Sequence, residues 1–303
     1  MRFSISQTVL DALDASFVEY FCDYSTREHS SFRIGGRAAL AIFPKNRGQL
    51  VDAMRILNNE QIKFSVIGNA SNLLFAFDVY NGALIFTDRL SSITVDGNRI
   101  SCDAGVSLTH LANTAAANSL TGLEFSFGIP ALVGGAVYMN AGAYGRQMSD
   151  VIEYTVAYNV SKDVCYRIYD GDFGYRKSTY MQHHEMICLG ASFMLMRGDI
   201  SAIKAKMAEN MASRREKQPL ELPSAGSYFK RPEGHFAGKL IEDCGLKGLR
   251  VGGAEVSKKH AGFIVNVGNA TYRDVLGLEE KIKERVLSEF GVSLEREVRL
   301  ITD

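Results

Sequence analysis

The sequence lacks the features that mark several specialised classes of protein. Its 34 Lys and Arg residues balance 34 Asp and Glu residues, so the net charge is zero and a general nucleic-acid binder is not expected. The five cysteines are scattered without a C-x-x-C pair, which argues against a disulfide framework and favours reduced thiols in the cytoplasm. The histidines have no metal-ligand spacing, and no metal is expected. No run of about 18 apolar residues and no signal-peptide core occur, so neither a membrane span nor secretion is expected.

What is present is a 303-residue chain, 46% hydrophobic, which is enough for two or three domains. Apolar residues at helical spacing predict helices at 47–59, 108–120, 201–217 and 273–290, the second capped by Ser107 and the last ended by Gly291. Strands are predicted at 63–68, 82–87, 99–105 and 292–301, with further sheet over 132–196. The pattern changes near residue 200. We therefore predict domains at 1–88, 89–200 and 201–303.

Two glycine-rich stretches suggest places where the backbone approaches a ligand. The first, "VIGNASNLLF" (66–75), is a strand followed by small residues whose N–H groups can form an anion nest. The second, "GIPALVGGAVYMNAGAYG" (128–145), suits a pyrophosphate or a flat ring system. Each also fits a pair of tight turns. Neither is a dinucleotide-binding G-x-G-x-x-G fingerprint or a P-loop, so a dinucleotide would need a different scaffold.

Three segments supply reactive side chains. "FGYRKS" holds Arg176 beside Tyr175, "LPSAGSYFKRP" holds Ser227 on a flexible hinge before two cations, and "LEREVRL" holds Glu297. Each has a plain structural alternative: a stacked surface cation, a turn serine and an exposed ion pair. Residue spacing alone therefore indicates an α/β nucleotide-binding enzyme of unspecified chemistry.

Taken together, these segments resemble the UDP-N-acetylenolpyruvoylglucosamine reductase family, also called UDP-N-acetylmuramate dehydrogenases. The matching pieces follow the family's order from about residue 25 to the end. They are "SSFRIGG" (30–36), "GNASNLL" (68–74), "GLEFSFGIPALVGGAVYMNAGAYG" (122–145), "FGYRKS" (173–178), "KQPLELPSAGSYFKRP" (217–232), "LIEDCGLKGLRVGGAEVSKKHAGFIVN" (240–266) and "LEREVRLI" (294–301). The short stretch between Arg176 and Ser227 resembles the family type that lacks an insertion with a substrate-clamping tyrosine.

The resemblance implies an α+β fold. It consists of a two-subdomain FAD-binding module of the vanillyl-alcohol-oxidase type, followed by a C-terminal α+β substrate-binding domain. FAD would bind noncovalently and NADPH would be the co-substrate. By resemblance, flavin contacts come from Arg33, Gly35, Gly68, Asn69, Ala70, Ser71, Asn72, Gly128, Ile129, Gly134, Gly135, Asn140, Ala141 and Gly142.

The resemblance also implies the reaction, which is reduction of the enolpyruvyl ether of UDP-N-acetylglucosamine to UDP-N-acetylmuramate for peptidoglycan synthesis. Flavin N5 would deliver hydride to the terminal carbon, with Arg176 on the substrate carboxylate, Ser227 as proton donor and Glu297 as the third catalytic group. Substrate contacts would come from Tyr175, Lys217, Lys230 and Arg231. A cytoplasmic monomer without nucleic-acid or membrane partners is expected.

The sequence departs from the family pattern at three loop positions. Asn69, Ala70 and Ala131 stand where glycines are usual, and side chains at 69 and 70 restrict positive φ, which Asn tolerates better than Ala. We expect FAD still to bind. Two alternatives stay open: another flavin-dependent oxidase or dehydrogenase on the same scaffold, and a non-catalytic nucleotide-sugar binding protein that has lost its flavin.

Overall fold

The structure, a computed structural model, describes residues 5–303. In this part of the chain the α-helices are α1 (Gln7–Ala15), α2 (Arg47–Asn59), α3 (Leu108–Ala117), α4 (Val133–Tyr138), α5 (Thr179–Gln182), α6 (Ile200–Lys217), α7 (Ala237–Asp243) and α8 (Tyr272–Phe290). Short 3₁₀ helices lie at Glu124–Ser126 and Met148–Asp150.

The strands of the first two thirds of the chain are β1 (Glu19–Ser25), β2 (Arg37–Phe43), β3 (Phe64–Ile67), β4 (Leu73–Phe75), β5 (Val79–Phe86), β6 (Ile93–Asp96), β7 (Arg99–Asp103), β8 (Leu120–Thr121), β9 (Gly142–Ala143), β10 (Arg146–Gln147), β11 (Ile152–Asn159), β12 (Val164–Ile168), β13 (Met186–Met194) and β14 (Met196–Arg197). Those of the last third are β15 (Ser224–Ser227), β16 (Arg250–Val251), β17 (Ala254–Val256), β18 (Phe263–Asn266) and β19 (Arg299–Ile301).

The chain divides into two compact units, each made of several segments. The first unit comprises residues 1–23, 39–69 and 82–214, and the second comprises residues 24–38, 70–81 and 215–303. The chain therefore crosses between the units more than once. The division into domains 1–88, 89–200 and 201–303 remains a prediction.

The first unit contains two larger sheets and two hydrophobic cores. One sheet has the order β1-β2-β5-β3, and its core lies against α1 and α2. The other has the order β12-β11-β13-β7-β6 and packs against α3 and α4. Helix α3 begins where Ser107 Oγ accepts a hydrogen bond from the N–H of His110, so the predicted cap is confirmed.

The second unit is built on a four-stranded sheet with the order β15-β18-β17-β16 and on the parallel pair β19-β4. Helix α8 covers its core with Val275, Leu278, Ile282 and Val286, which are all fully buried. The helix ends at Gly291, whose φ of 66° is the left-handed conformation that glycine adopts without strain. Phe32, Ile34 and Leu74 join this core from the early segments of the chain.

Three local predictions need correction. The helix predicted at 108–120 ends at Ala117, and Leu120 begins strand β8. Residues 292–301 do not form one strand, because only Arg299–Ile301 pairs with a partner strand, and Glu297 lies in the irregular segment before it. The stretch 132–196 is mostly sheet, yet it opens with helix α4 inside the second glycine loop. The helices predicted at 47–59, 201–217 and 273–290 are confirmed to within a residue at each end.

All five cysteines are free thiols. Burial raises the pKa of the Cys188 thiol to about 11, which keeps it protonated and unreactive. Within residues 5–303, no group of His, Cys, Asp and Glu side chains could hold a metal ion. Over the same residues, no helix combines the length and the apolar character that crossing a membrane requires.

Candidate functional site

The two glycine loops are joined by a hydrogen bond between Asn69 and Pro130, which both belong to the first unit. Asn69 Nδ2 donates a hydrogen bond to the carbonyl of Pro130 over 2.8 Å. A Cβ placed on Gly68 would lie 4.0 Å from the N atom of Gly135, so the two bare backbone stretches run close together. Gly135 itself is exposed, and a Cβ there would meet nothing within 4 Å. The two loops thus approach each other closely, and the backbone at Gly135 is open to a ligand.

The second loop is supported by Ala104, which lies in the turn directly after strand β7. Gly134 N–H donates to the carbonyl of Ala104 at 2.8 Å, and a Cβ at Gly134 would press on the Ala104 Cβ at 2.9 Å. Gly128 has φ of 79° and lies against the side chains of Met211 and Arg214. Larger residues at positions 128 and 134 would push the loop away from these supports.

Asn140 connects the second loop to the turn that carries Arg176. It is buried, with a φ of 42°, and its Nδ2 donates to the carbonyl of Gly174 at 3.0 Å. Ser178 Oγ adds a bond to the carbonyl of Tyr138 at 2.7 Å. The C-terminal end of α4 and the Arg176 turn are therefore one fixed assembly.

Arg176 lies in a tight turn closed by Gly174 and Lys177, with a φ of 52°. Its guanidinium carbon is 5.3 Å from the ring centre of Tyr175, which is 56% exposed. A half-buried guanidinium on a strained turn can present its planar fork to a carboxylate.

The remaining predicted contacts of the first unit have mainly structural surroundings. Ile129 and Ala141 are half-buried against the core of α3 and α4. A Cβ on Gly142 would come within 2.7 Å of the Arg146 carbonyl oxygen, because β9 and β10 form a narrow hairpin there.

In the second unit, Ser227 ends strand β15 with its side chain exposed. Gly226, with a φ of 78°, comes before it, and a Cβ there would be 3.9 Å from the Ser71 carbonyl oxygen. Ser31 Oγ is within hydrogen-bond distance of the carbonyls of Ala70 (3.1 Å) and Ser224 (2.8 Å) and can donate to one at a time. The segment 70–72 and the Ser227 strand are thus held side by side.

Glu297 joins this group through its backbone. Its N–H donates to the carbonyl of Tyr228 at 2.8 Å, and its carbonyl accepts from Asn72 Nδ2 at 3.3 Å. The N–H of Arg299 bonds in turn to the Asn72 carbonyl at 3.0 Å. The structure therefore gathers Ser71, Asn72, Ser227 and Glu297 in the second unit.

Ala70 has a φ of 47°, whereas Asn69 and Ala131 are outside the positive-φ region. Of the three departures from glycine, only Ala70 therefore carries backbone strain. Asn69 replaces the flexibility of a glycine with a bond that joins the loops.

The predicted cations differ in their surroundings. Lys217 is exposed at the end of α6. Lys230 is ion-paired with Glu295, and the guanidinium carbon of Arg231 lies 3.9 Å from the ring centre of Phe236. Arg33 is exposed with a φ of 52°, and a Cβ at Gly35 would overlap Thr26. The four predicted cations Arg33, Lys217, Lys230 and Arg231 therefore do not share one common environment.

Sequence reasoning missed Ser31 and Glu279. Ser31 lies inside a matched motif but has no pattern of its own. Glu279 is a carboxylate on the apolar face of α8, four residues after Val275, and that mismatch with the amphipathic pattern was the available signal.

Exposed glycine backbone and a hydrogen bond between the two glycine loops fit a flavin-binding oxidoreductase, and comparison with known proteins shows this class. Residues 38–160 match the model of an FAD-binding domain, and residues 218–301 match that of the UDP-N-acetylenolpyruvoylglucosamine reductase C-terminal domain. The chain belongs to the UDP-N-acetylenolpyruvoylglucosamine reductase family.

Comparison with individual relatives shows the same family membership. The chain is 45% identical to the reductase of Caldanaerobacter subterraneus subsp. tengcongensis over 276 residues, which cover 91% of each chain. It is 45% identical to that of Caldicellulosiruptor bescii over 293 residues, covering 95% of this chain and 93% of the other. The crystal structure of the Thermus caldophilus enzyme superposes with a TM-score of 0.78 at 33% identity, covering 94% of this chain and 99% of that one. The predicted α+β flavoenzyme fold is confirmed.

Proposed function

We propose that this protein reduces the enolpyruvyl ether of UDP-N-acetylglucosamine to UDP-N-acetylmuramate, with NADPH as the electron donor. Membership of the family and the presence of both its domains in one chain support this proposal. When bound, FAD supplies two-electron hydride chemistry between a nicotinamide and a carbon–carbon double bond.

The glycine loops fit this cofactor. Gly68 and Gly135 leave space where side chains would stand, and the Asn69–Pro130 bond fixes the separation of the loops. We assign to the flavin the backbone of 68–72, 128–129, 134–135 and 140–142, with Arg33 and Gly35. The Ala70 carbonyl lies 3.1 Å from Ser31 Oγ, and this contact helps to hold the positive φ of Ala70 in place.

The substrate needs a group that stabilises negative charge. Hydride addition to the terminal carbon breaks the double bond and leaves charge on the adjacent carbon, which the carboxylate shares. The Arg176 fork binds such a carboxylate at two points, and this interaction accelerates the reaction to the extent that it strengthens in the transition state.

The second requirement is a proton for the adjacent carbon. We assign this role to Ser227 Oγ, which transfers its proton to the carbon and regains one from water. A serine hydroxyl is a weak acid, but the carbanion-like carbon is a strong base, so the transfer is downhill. Glu297 would donate a hydrogen bond when protonated or orient a water. Tyr175, Lys217, Lys230 and Arg231 would contact the nucleotide diphosphate or NADPH.

The observation that carries the assignment is the placement of Ser227. Ser227 is an exposed residue at a strand end, and the main-chain N–H of Glu297 donates to the carbonyl of the next residue, Tyr228. A turn serine with a purely structural role would be expected to use its hydroxyl as a local cap.

A single anaerobic titration tests the proposal. The purified protein should be yellow, should bleach on addition of NADPH, and should regain its colour when the enolpyruvyl nucleotide sugar is added. Bleaching without recovery, together with rapid oxidation by oxygen in the presence of a simple alcohol, would identify another flavin oxidase or dehydrogenase instead. A colourless protein that takes up no added FAD would be a nucleotide-sugar binder.

Two further expectations remain predictions. A cytoplasmic location fits the unpaired cysteines, and cell fractionation would check it. A monomeric state would be checked by sedimentation.

A further inference from the structure

Glu279 is a buried carboxylate that the reaction does not use directly. It lies on the apolar face of α8 and is only 4% exposed, close in sequence to the core residues Val275, Leu278 and Ile282. A carboxylate in such a place is costly unless several donors satisfy it, and an apolar residue there would often be equally stable. Its presence therefore calls for an explanation beyond stability.

Three donors from three different places satisfy the carboxylate. Tyr228 Oη donates to Oε2 at 2.8 Å, Arg296 Nη1 approaches the same oxygen at 3.3 Å, and Lys283 Nζ reaches Oε1 at 2.5 Å. Tyr228 is fully buried, and burial together with the nearby Glu279 charge raises the pKa of its phenol, so it stays a donor. Lys283 is on the same helix, whereas the other two come from the segments that hold the proposed catalytic residues.

The two remote donors are direct neighbours of those residues. Tyr228 follows Ser227, and Arg296 precedes Glu297. The segments also meet through main-chain bonds, from Glu297 N–H to Tyr228 O and from Lys230 N–H to Glu295 O, both 2.8 Å long. Successive side chains of extended backbone point to opposite sides, so Tyr228 is buried while Ser227 is exposed.

We propose that Glu279 is a positioning residue: by holding Tyr228 and Arg296 from inside the core, it sets the placement of Ser227 and Glu297 on the opposite side. The inference rests on the proposed function, since it presumes that Ser227 is the proton donor. Main-chain bonds fix the two segments along their length, and the Glu279 bonds fix how far each is drawn into the core. A shift of about 1 Å in a reacting group can cost on the order of 10²-fold in rate.

The test compares Glu279→Gln, Tyr228→Phe and the control Glu284→Gln in the flavin-loaded full-length protein. Glu284 is on the same helix but exposed, so the control makes the same chemical change without touching the network. Stopped-flow absorbance follows flavin reduction by NADPH and then flavin reoxidation by the enolpyruvyl nucleotide sugar. Calorimetry measures the affinity for the product, UDP-N-acetylmuramate.

We expect Glu279→Gln to slow reoxidation by roughly ten-fold to 10²-fold, and Tyr228→Phe by about ten-fold, with flavin reduction and product affinity unchanged. The solvent deuterium isotope effect on reoxidation should increase in both variants, because a misplaced donor makes proton transfer rate-limiting. Lower stability alone would not change this isotope effect. The Glu284→Gln protein should match the wild type throughout.

The inference is overturned if both variants reoxidise at the wild-type rate, or if both half-reactions slow equally. Should Glu279→Gln fail to fold, Tyr228→Phe decides alone, because it removes one hydroxyl and leaves the carboxylate with two cations. If the wild-type protein itself is not reoxidised by the substrate, the proposed function fails, and the positioning role for this reaction is overturned with it.

Discussion

Asn69 donates a hydrogen bond from its side-chain amide to the main-chain carbonyl of Pro130, and this 2.8 Å bond joins the two glycine loops. A glycine at position 69 could not make it. Asn69, which stands where a glycine was expected, thus makes a hydrogen bond that connects the two loops of the proposed flavin site.

Replacing Asn69 with Ala should therefore weaken FAD binding. A side-chain hydrogen bond of this kind contributes about 0.5–1.5 kcal/mol, which corresponds to roughly two-fold to ten-fold in the dissociation constant. Titration of the flavin-free protein with FAD measures it. Asn118→Ala removes an exposed amide bonded to the Thr114 carbonyl and should leave the affinity unchanged. Equal affinities for all three proteins would show that the bond is not used.

Ala70 should tolerate glycine and reject β-branched residues. Relief of its strained φ of 47° by Ala70→Gly is offset by lost methyl burial and by greater backbone freedom in the unfolded chain, so the change should stay below about 1 kcal/mol. Ala70→Val should cost about 2 kcal/mol or more, because β-branched residues are rarely found at positive φ. Urea unfolding measures both, and a well-tolerated valine would contradict the assigned backbone conformation.

Ser227→Ala should separate the two half-reactions. Flavin reduction by NADPH should be retained, and flavin reoxidation by the enolpyruvyl substrate should fall on the order of 10²-fold or more, because the variant has no hydroxyl proton to give. Stopped-flow absorbance resolves the two steps. Ser293→Ala, an exposed serine of the same unit, is the control. Equal damage to both half-reactions would refute the proton-donor role.

Asp103→Asn should destabilise the first unit. The Asp103 side chain is 9% exposed and its Oδ1 lies 2.6 Å from Arg47 Nε, so the amide would remove the counter-charge of a partly buried guanidinium. The expected loss is about 2–4 kcal/mol in the free energy of unfolding. Asp52→Asn breaks an exposed pair with Arg55 and should cost less than about 1 kcal/mol in the same urea experiment. A similar cost for both would mean that the Arg47 pair is as solvated as the surface one.

His260 should make stability fall in acid. Burial, followed by the charge of Lys247, lowers its pKa, and its Nδ1 accepts a bond from Gly262 N–H at 3.1 Å. The unfolded chain therefore binds the proton more readily. This contribution is fully present above the unfolded pKa of about 6.5, and it is lost as the pH falls from there through the lower pKa of the folded state. Urea unfolding between about pH 5 and 8 should show a weaker pH dependence for His260→Gln. An unchanged pH dependence in the His260→Gln protein would contradict this assignment.

Much of the local structure could be predicted because short-range patterns specify it. Helix α8 has Val275, Leu278, Ile282 and Val286 at the spacing of one face, and Gly291 ends it. The final segment shows the limit of such patterns. Residues 292–301 alternate like a strand, but a strand needs a partner, and β4 offers only Leu73–Phe75 to pair with Arg299–Ile301.

The candidate site was predictable only through the resemblance. Nothing in the spacing of Asn72, Tyr228 and Glu297 shows that hydrogen bonds join them, because these bonds depend on pairing between distant segments. Glu279 shows a different limit. Its position on an apolar face is visible in the sequence, but its donors Tyr228 and Arg296 are identified only by the tertiary structure.

Three core residues of the second unit come from the first quarter of the sequence, and they limit how the protein can be divided into fragments. The C-terminal family match covers 218–301, yet Phe32, Ile34 and Leu74 contribute to the same core, and β19 pairs with β4 at 73–75. A gene fragment starting at residue 218 would encode a domain with a gap in its interior and an unpaired strand. Transplanting this domain between proteins would therefore require two short early segments, those around Phe32–Ile34 and Leu73–Phe75, to be transferred with it.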